Sequence, residues 1–408
     1  MSKTCIIIGA SHAAAQLIAS LRQEGWEDDI LTIGDEPHLP YHRPPLSKAY
    51  LAGDKSAEEL AIRPASFYEK QSVGFYQGRV TRINPDGKSV SLEDGQELAY
   101  DKLAICTGAR VRKIQLPGSD LSGIHYLRDM SDVQGIKRDM GAGKSAVIIG
   151  GGYIGLETAA SLREQGMNVV VLEMAERILQ RVTPPELSEF YTRVHTEHGV
   201  SIQTSVSVSR FKGNGHVEKV ICDDGQTFDA DLVVVGIGVL PNVELAQEAG
   251  IEVDNGIVID ESCNTSAPDI VAVGDCTNHF DKTYDCRLRL ESVPNANEQA
   301  KVAAATLCGK KKIYHSLPWF WSDQYDLKLQ IAGLSTNFTH IVIRGDKDTG
   351  HSFAAFYFKD DNLIAADCVN RPQEFMLMKK ILGAGQSIKA EYLADEGKSV
   401  KELMQLAG

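Results

Sequence analysis

The sequence predicts an α/β fold in which two similar βαβ units are followed by a separate α+β domain. The first observation behind this is a repeat. Near the start an apolar strand, Cys5 to Ile8, runs into Gly9-Ala10-Ser11-His12-Ala13-Ala14 and then a helical stretch through Leu21. Later, Ala146-Val147-Ile148-Ile149 runs into Gly150-Gly151-Gly152-Tyr153-Ile154-Gly155 and a helical stretch through Leu162. Each unit continues into a second strand, Ile30 to Ile33 in one and Val169 to Leu172 in the other. The second observation is that the echo persists downstream. Ser91-Leu92-Glu93-Asp94-Gly95-Gln96 and Ile221-Cys222-Asp223-Asp224-Gly225-Gln226 both carry an Asp-Gly hairpin signal, after which Asp101, Leu103 and Gly108 match Asp231, Val233 and Gly238 without a gap. The third is a change of character over the last 95 or so residues, beyond the Gly309 to Lys312 stretch. Trp319 and Trp321 are followed there by alternating strands around Phe353 to Phe358 and Leu363 to Cys368, a turn at Asp360-Asp361-Asn362, and a helix over Gln373 to Ile381. Between the repeat and this region lie a short buried strand ending Val273-Gly274-Asp275 and a helix from about Asn295 through Leu307.

A glycine-rich turn between strand and helix lets backbone N–H groups approach a pyrophosphate at a helix N-terminus, where the dipole favours anions. Two such turns in one chain read as two dinucleotide sites. In the second, Gly150, Gly152 and Gly155 fit the fingerprint fully, and Glu173, 18 residues past Gly155, supplies a carboxylate for the adenosine ribose diol. That charge opposes a 2′-phosphate and points to NADH rather than NADPH, although Arg177 and Arg181 stand nearby. The first turn has Ser11 at the second glycine position and Ala14 at the third. Ser11 must either keep its side chain off the phosphate or hydrogen-bond to it, and Asp35 again supplies the ribose carboxylate. Hydride transfer needs a donor and an acceptor stacked together, so two sites imply one resident flavin and one exchanging nicotinamide. Asp275 suits a ribityl contact in the first site; its alternative is a plain helix N-cap.

Composition narrows the function further. The chain has 408 residues and a net charge of −13, which repels phosphate backbones and anionic lipid. No stretch approaches the roughly 20 apolar residues of a membrane span. The folded pattern begins at once with Thr4-Cys5-Ile6-Ile7, and the eight cysteines are scattered, so a cytoplasmic protein with reduced thiols is expected. His195 and His198, three apart in a predicted helix, read as surface residues rather than metal ligands.

Specific segments then resemble one family: the putidaredoxin-reductase-like flavoproteins, NADH-dependent ferredoxin reductases of bacterial monooxygenase and dioxygenase systems, with rubredoxin reductases and apoptosis-inducing factor as relatives. They are Arg43-Pro44-Pro45-Leu46-Ser47-Lys48, Tyr100 through Gly108, Gly150 to Glu157, Asp231 through Asn242, Val273-Gly274-Asp275, Glu291 to Ala296, and Trp319-Phe320-Trp321-Ser322-Asp323-Gln324. The resemblance implies a glutathione-reductase-type fold. An FAD-binding domain over residues 1–112 and 240–313 would be split by an NAD-binding domain over 113–239, and a C-terminal reductase domain would span 314–408. It further implies FAD held by Gly9, Ser11, His12, Ala13, Asp35, Arg43, Lys48, Val80, Thr107, Gly108, Arg128, Asp275 and Val293. NADH would lie on Gly150, Gly152, Tyr153, Ile154, Gly155, Glu157, Glu173 and Gly238. Lys48 and Glu157 would pair beside the flavin N5, Lys48 donating toward it and Glu157 orienting Lys48 and the carboxamide; a purely structural ion pair is the alternative. Trp321 would conduct electrons to the docked partner, or else be an ordinary core aromatic.

A disulfide or peroxide reductase on this fold needs a flavin-side cysteine, and the stretch Tyr41-His42-Arg43-Pro44-Pro45 has none. A binding role like that of apoptosis-inducing factor wants a basic surface, which this acidic chain lacks. Rubredoxin remains the rival to an iron–sulfur ferredoxin as partner, with Pro318-Trp319-Phe320-Trp321 leaning toward ferredoxin. Ferredoxins are usually acidic too, so a local basic patch drawn from Lys310, Lys311, Lys312, Arg344, Lys379 and Lys380 is expected to steer docking.

Overall fold

Continuous aliphatic runs make strands that are buried on both faces, the signature of parallel sheets covered by helices. A computed structural model of the chain describes residues 2–408 and contains two such sheets. Contacts divide the chain into two compact units. One comprises the residues up to His42 with Glu58–Arg110 and Val239–Pro318; the other comprises Arg43–Ala57, Val111–Gly238 and Trp319–Gly408.

The parallel sheet of the first unit has the order Val73–Gln77, Asp29–Gly34, Thr4–Ile8, Lys102–Ile105, Ile270–Ala272. That of the second unit has the order Ser201–Gln203, Asn168–Leu172, Ser145–Ile149, Leu232–Val235, Ile124–His125. The first four strands of each correspond, and the fifth differs in its place along the chain. Each sheet carries the same insertion, a three-stranded antiparallel meander, over 80–99 in one and 208–229 in the other.

The sequence echo has physical content at particular residues. Asp94 and Asp224 each accept the backbone N–H of the glutamine two residues on, at 3.0 and 2.9 Å, closing the two hairpins alike. Asp101 and Asp231 each accept the N–H at the head of the first strand, from Thr4 at 2.7 Å and from Ser145 at 2.8 Å. They pin the returning strand beside the first one.

Small side chains set the helix packing in the first unit. The helix His12–Glu24 buries Ala13, Ala14, Ala15 and Ala19, and it packs on Val293–Leu307, which buries Ala296, Ala300, Ala303 and Ala304. The latter helix is capped by Ser292, whose hydroxyl accepts the Asn295 N–H at 3.3 Å. The C-terminal region is an antiparallel sheet ordered Trp319–Gln324, Leu327–Gly333, Asn362–Val369, Ser352–Lys359, His340–Asp346, and the helix Pro372–Gly383 packs on it. The expected hairpin turn falls at Asp360, which takes a left-handed φ of 55°. No helix among the described residues is long and apolar enough to cross a membrane.

Candidate active site

In the first unit the carboxyl ends of the parallel strands deliver the predicted residues to one edge. Thr4–Ile8 leads to Gly9, Asp29–Gly34 to Asp35, Lys102–Ile105 to Thr107 and Gly108, and Ile270–Ala272 to Asp275. Gly9 has φ 108°, and a Cβ on it would collide with the Cys106 carbonyl oxygen. The turn therefore lies against the next strand's exit. Gly274 sits between Ala13 and Ala296, within 3.6 Å of both methyls for a built Cβ, which places the Asp275 turn between the two alanine-rich helices. Gln299 holds that turn, accepting from the Gly274 N–H at 2.8 Å and from the Thr277 hydroxyl at 3.0 Å. Asp275 caps no helix; it leads into the strand Thr277–Asp281. Thr107 and Asn242 clamp each other, the Thr107 hydroxyl donating to the Asn242 carbonyl at 2.7 Å and the Asn242 amide returning a bond at 2.8 Å. Ser11 is the N-cap residue of His12–Glu24 in extended backbone, and its side chain makes no cap hydrogen bond. Asp35 lies exposed and ion-paired with Arg79 at 3.1 Å. Val80 begins the meander, and Val293 begins the second alanine-rich helix.

In the second unit Gly150, with φ 107°, repeats the constraint at Gly9: a Cβ would collide with the Gly236 carbonyl. Glu173 follows the strand Asn168–Leu172, and its carboxylate accepts the Gly151 N–H at 2.7 Å and the Ala175 N–H at 2.8 Å. The carboxylate is thus aimed at the glycine turn. Arg177 does not compete for a 2′-phosphate there, because its guanidinium donates to the Thr183 carbonyl and the Ser188 hydroxyl at 2.7 and 2.6 Å. Ile154 and Met174 flank the turn with 46% and 75% of their surface exposed.

The donor sets of both turns fit a dinucleotide pyrophosphate. Neither His12–Glu24 nor Tyr153–Glu164 has a side-chain cap or an acidic residue in its first turn, so no protein side chain occupies those N–H groups as a cap. A Cβ at Gly152 would meet no protein atom within 4 Å, which leaves the space before the second helix open to a ligand.

The second unit also brings Lys48 and Glu157 together. Lys48 follows a short 3-10 turn, Pro44–Ser47, and Glu157 lies on the inner face of Tyr153–Glu164. The ammonium and carboxylate are 2.5 Å apart, with side-chain exposures of 20% and 6%. The Ser47 hydroxyl donates to the same carboxylate oxygen at 2.6 Å and the Ser322 hydroxyl to the other at 2.7 Å. Lys48 also donates to the Pro44 carbonyl at 3.1 Å. Arg43 reaches the Arg128 carbonyl at 2.8 Å. Of the flavin-side candidates, Arg43, Lys48 and Arg128 belong to this second unit and the rest to the first. Trp321 is half-buried on the strand Trp319–Gln324, its ring 5.7 Å from that of Trp319, while Phe320 packs 5.0 Å from Tyr153.

Two expectations need correction. His195 is not on the surface: it is fully buried, donates or accepts at both ring nitrogens, and burial pushes its pKa down to about 4. Arg344 cannot join a basic patch, since it is 5% exposed, lies 3.6 Å from Glu374 and donates to the Asp395 and Lys398 carbonyls. Of the other lysines, Lys310 pairs with Glu24 at 3.0 Å, Lys379 lies 4.2 Å above the Trp319 ring, and Lys311, Lys312 and Lys380 are exposed. Sequence reasoning also missed Ser322 and Gln324. The two-residue period of a half-buried strand was their only signal.

Two glycine turns at helix N-termini on twin parallel sheets, a lysine–glutamate pair with its carboxylate buried and an added antiparallel domain define a class: flavin- and nicotinamide-linked reductases. The chain belongs to the pyridine nucleotide-disulphide oxidoreductase family, whose model matches residues 3–300, and it carries the reductase C-terminal domain over 319–404. It is 43% identical to the putidaredoxin reductase of Pseudomonas putida over 98% of this chain and 97% of that protein. A ferredoxin–NAD(P)(+) reductase of Sphingomonas sp is 42% identical, covering 93% and 92%. A rubredoxin–NAD(+) reductase of Pseudomonas putida is more distant, at 35% over 90% and 96%. The reductase in the crystal structure of a covalent putidaredoxin reductase–putidaredoxin complex matches with a TM-score of 0.96 and 42% identity, over 99% of this chain and 98% of that one.

Proposed function

We propose that this protein is a cytoplasmic, FAD-dependent NADH:ferredoxin oxidoreductase, taking a hydride from NADH and passing single electrons to a two-iron ferredoxin that serves a monooxygenase or dioxygenase. Bound FAD supplies the hydride acceptor and the one-electron donor. The observation that carries the reading is the Lys48–Glu157 pair, a buried carboxylate matched by a partly exposed ammonium in a chain with two glycine turns of the dinucleotide type.

The residues divide the work as follows. The N-terminal turns of His12–Glu24 and Tyr153–Glu164 bind one pyrophosphate each, for FAD and NADH respectively, and Asp35 and Glu173 take the adenosine riboses. Arg43, Val80, Thr107, Gly108, Arg128, Asp275 and Val293 hold the rest of FAD, with Ser11 and Ala13 at the turn. Lys48 would donate a hydrogen bond toward the flavin N5 and so favour reduction of the ring. Glu157 keeps the ammonium aimed and accepts from the nicotinamide carboxamide. Trp321 carries electrons toward the partner. Eight free cysteines support a reducing compartment. The share of identity with ferredoxin reductases, above that with a rubredoxin reductase, supports ferredoxin as acceptor.

The test is an anaerobic titration of the purified yellow protein with NADH and NADPH, followed by assay against a panel of ferredoxins and a rubredoxin. Stoichiometric bleaching by NADH and faster reduction of a two-iron ferredoxin are expected. A colourless protein that cannot be reconstituted with flavin would overturn the reading.

A further inference from the structure

Glu157 ends a buried chain of polar side chains whose directions are fixed by chemistry. An ionised carboxylate can only accept, so the Ser322 hydroxyl at 2.7 Å must donate to it. That uses the one Ser322 proton, so Ser322 accepts from the Gln324 amide nitrogen at 3.2 Å. The Gln324 carbonyl oxygen then faces His195 Nε2 at 2.8 Å and requires a proton on that nitrogen. His195 Nδ1 is left to accept from the Tyr325 hydroxyl at 3.3 Å. Ser322, Gln324 and His195 are at most 2% exposed. Ser322 and Gln324 share the inward face of Trp319–Gln324, while His195 comes from the helix Pro185–Glu197.

We propose that Tyr325, His195, Gln324 and Ser322 form a one-directional donor chain that positions Glu157 for its role beside Lys48, with Ser322 and Gln324 as positioning residues for hydride transfer from NADH. The inference rests on the function proposed above. Every donor points toward Glu157, so the chain holds its second oxygen fixed and leaves the first to Ser47 and Lys48. Neutrality of His195 is a condition of the chain: a protonated ring would have no lone pair for Tyr325. Burial, which holds its pKa near 4, meets that condition. Beyond Lys48, the titratable groups acting on this region include the Tyr153, Tyr191 and Tyr325 hydroxyls, all held neutral by burial; Asp367 acts on Tyr153 and Tyr191, Asp323 on Tyr191, Glu164 and Arg163 on Tyr325, and His198 on His195.

The test uses the FAD-loaded protein. In Ser322→Ala, flavin reduction by NADH in stopped flow should slow about tenfold, equal to about 1.4 kcal/mol, with NADH dissociation changed by less than the rate. The Glu157 carboxyl ¹³C resonance should shift as its Ser322 donor is lost, a change that a merely structural serine would not produce. Gln324→Met, close in volume, should act in the same direction by about threefold. It should also abolish the Nε2–H signature that ¹⁵N-labelled His195 is expected to show down to about pH 5 in the parent protein. If Ser322→Ala fails to fold, Gln324→Met carries both readouts. Unchanged rate and an unchanged Glu157 carboxyl resonance in a variant that retains FAD would overturn the positioning role, as would an Nδ1–H tautomer of His195. A parent protein that NADH does not reduce would instead sink the proposed function, while the NMR readouts would still judge the chain.

Discussion

Replacing Lys48 with Met separates an ion pair that serves only the fold from one that serves the reaction. The substitution keeps the length of the side chain and removes its charge. Glu157, at 6% side-chain exposure, would keep two hydroxyl donors, from Ser47 and Ser322, but lose its counter-charge. Breaking a buried pair by removing one partner costs about 3–5 kcal/mol. Here Lys48 is 20% exposed and the hydroxyl donors remain, so a loss of about 2–3 kcal/mol in unfolding free energy is expected. Adding Glu157→Gln removes the stranded charge and should restore most of that loss. The reaction should not recover. Loss of a donor aimed at developing negative charge costs about 3 kcal/mol, or about a hundredfold in rate. Stopped-flow reduction by NADH and denaturant unfolding of the parent, both single variants and the double variant complete the cycle. An unchanged reduction rate in Lys48→Met would refute the catalytic role. A double variant no more stable than Lys48→Met would refute the electrostatic origin of the stability loss.

Two other predictions follow from buried or aimed carboxylates. Asp367 lies 2% exposed on the strand Asn362–Val369, with the Tyr357 hydroxyl donating to it at 2.6 Å, and burial raises its pKa from 3.8 to about 7. The folded state therefore holds a proton that the unfolded chain releases, so stability should fall as pH rises from about 4 to about 7, by up to about 1.4 kcal/mol per pH unit. Asp367→Asn should flatten that slope in chemical denaturation curves; parallel profiles for the two proteins would show that the carboxyl is not the source. Glu173→Ala removes the charge that opposes a 2′-phosphate, and kcat/KM for NADPH relative to NADH should rise about 10- to 100-fold. An unchanged ratio would mean that Glu173 does not choose the nucleotide.

Much of the fold was legible because the repeat is written in residues with strict local roles. The Asp94-Gly95 and Asp224-Gly225 turns, and the strand-heading acceptors Asp101 and Asp231, do the same work in both units. The helix Val293–Leu307 starts two residues before Asn295, because Ser292 supplies the cap and Pro294 is tolerated in the first turn. In the C-terminal sheet the strands at Leu327–Gly333 and His340–Asp346 went unread. Leu327-Lys328-Leu329-Gln330-Ile331 does alternate apolar and polar residues, but the run is short, and Ile341 to Ile343 offers only three apolar residues before Arg344, so the partners had to come from the tertiary fold. His195 escaped for the same reason. A histidine three residues before another in an amphipathic helix looks solvated, and only the arrival of Gln324 and Tyr325 supplies partners for a buried ring. Likewise Arg344 reads as a free cation until Glu374 and the carbonyls of 393–398 surround it.

The two glycine motifs can be divided into positions required by the chain and positions required by a ligand. Gly9 and Gly150 are required by the chain, since both take φ near 107° and any Cβ would strike a carbonyl of the adjacent strand's exit. The third position is a packing choice. A Cβ at Gly155 would strike the Gly150 carbonyl, whereas Ala14 shows that the first turn leaves room for a methyl. The second position is different. Gly152 has an ordinary φ of −82° and Ser11 one of −130°, both open to any residue, and the space before Gly152 holds no protein atom within 4 Å. Neither backbone strain nor packing therefore accounts for the glycine at 152, which fits the proposed close approach of a pyrophosphate. The same reasoning explains how Ser11 is tolerated. Its extended backbone is unstrained, and its hydroxyl makes no cap bond that would occupy the first-turn N–H groups. A serine there and a glycine in the other turn are thus compatible with one shared anion-binding geometry, as the proposed resident dinucleotide in one unit and exchanging one in the other require.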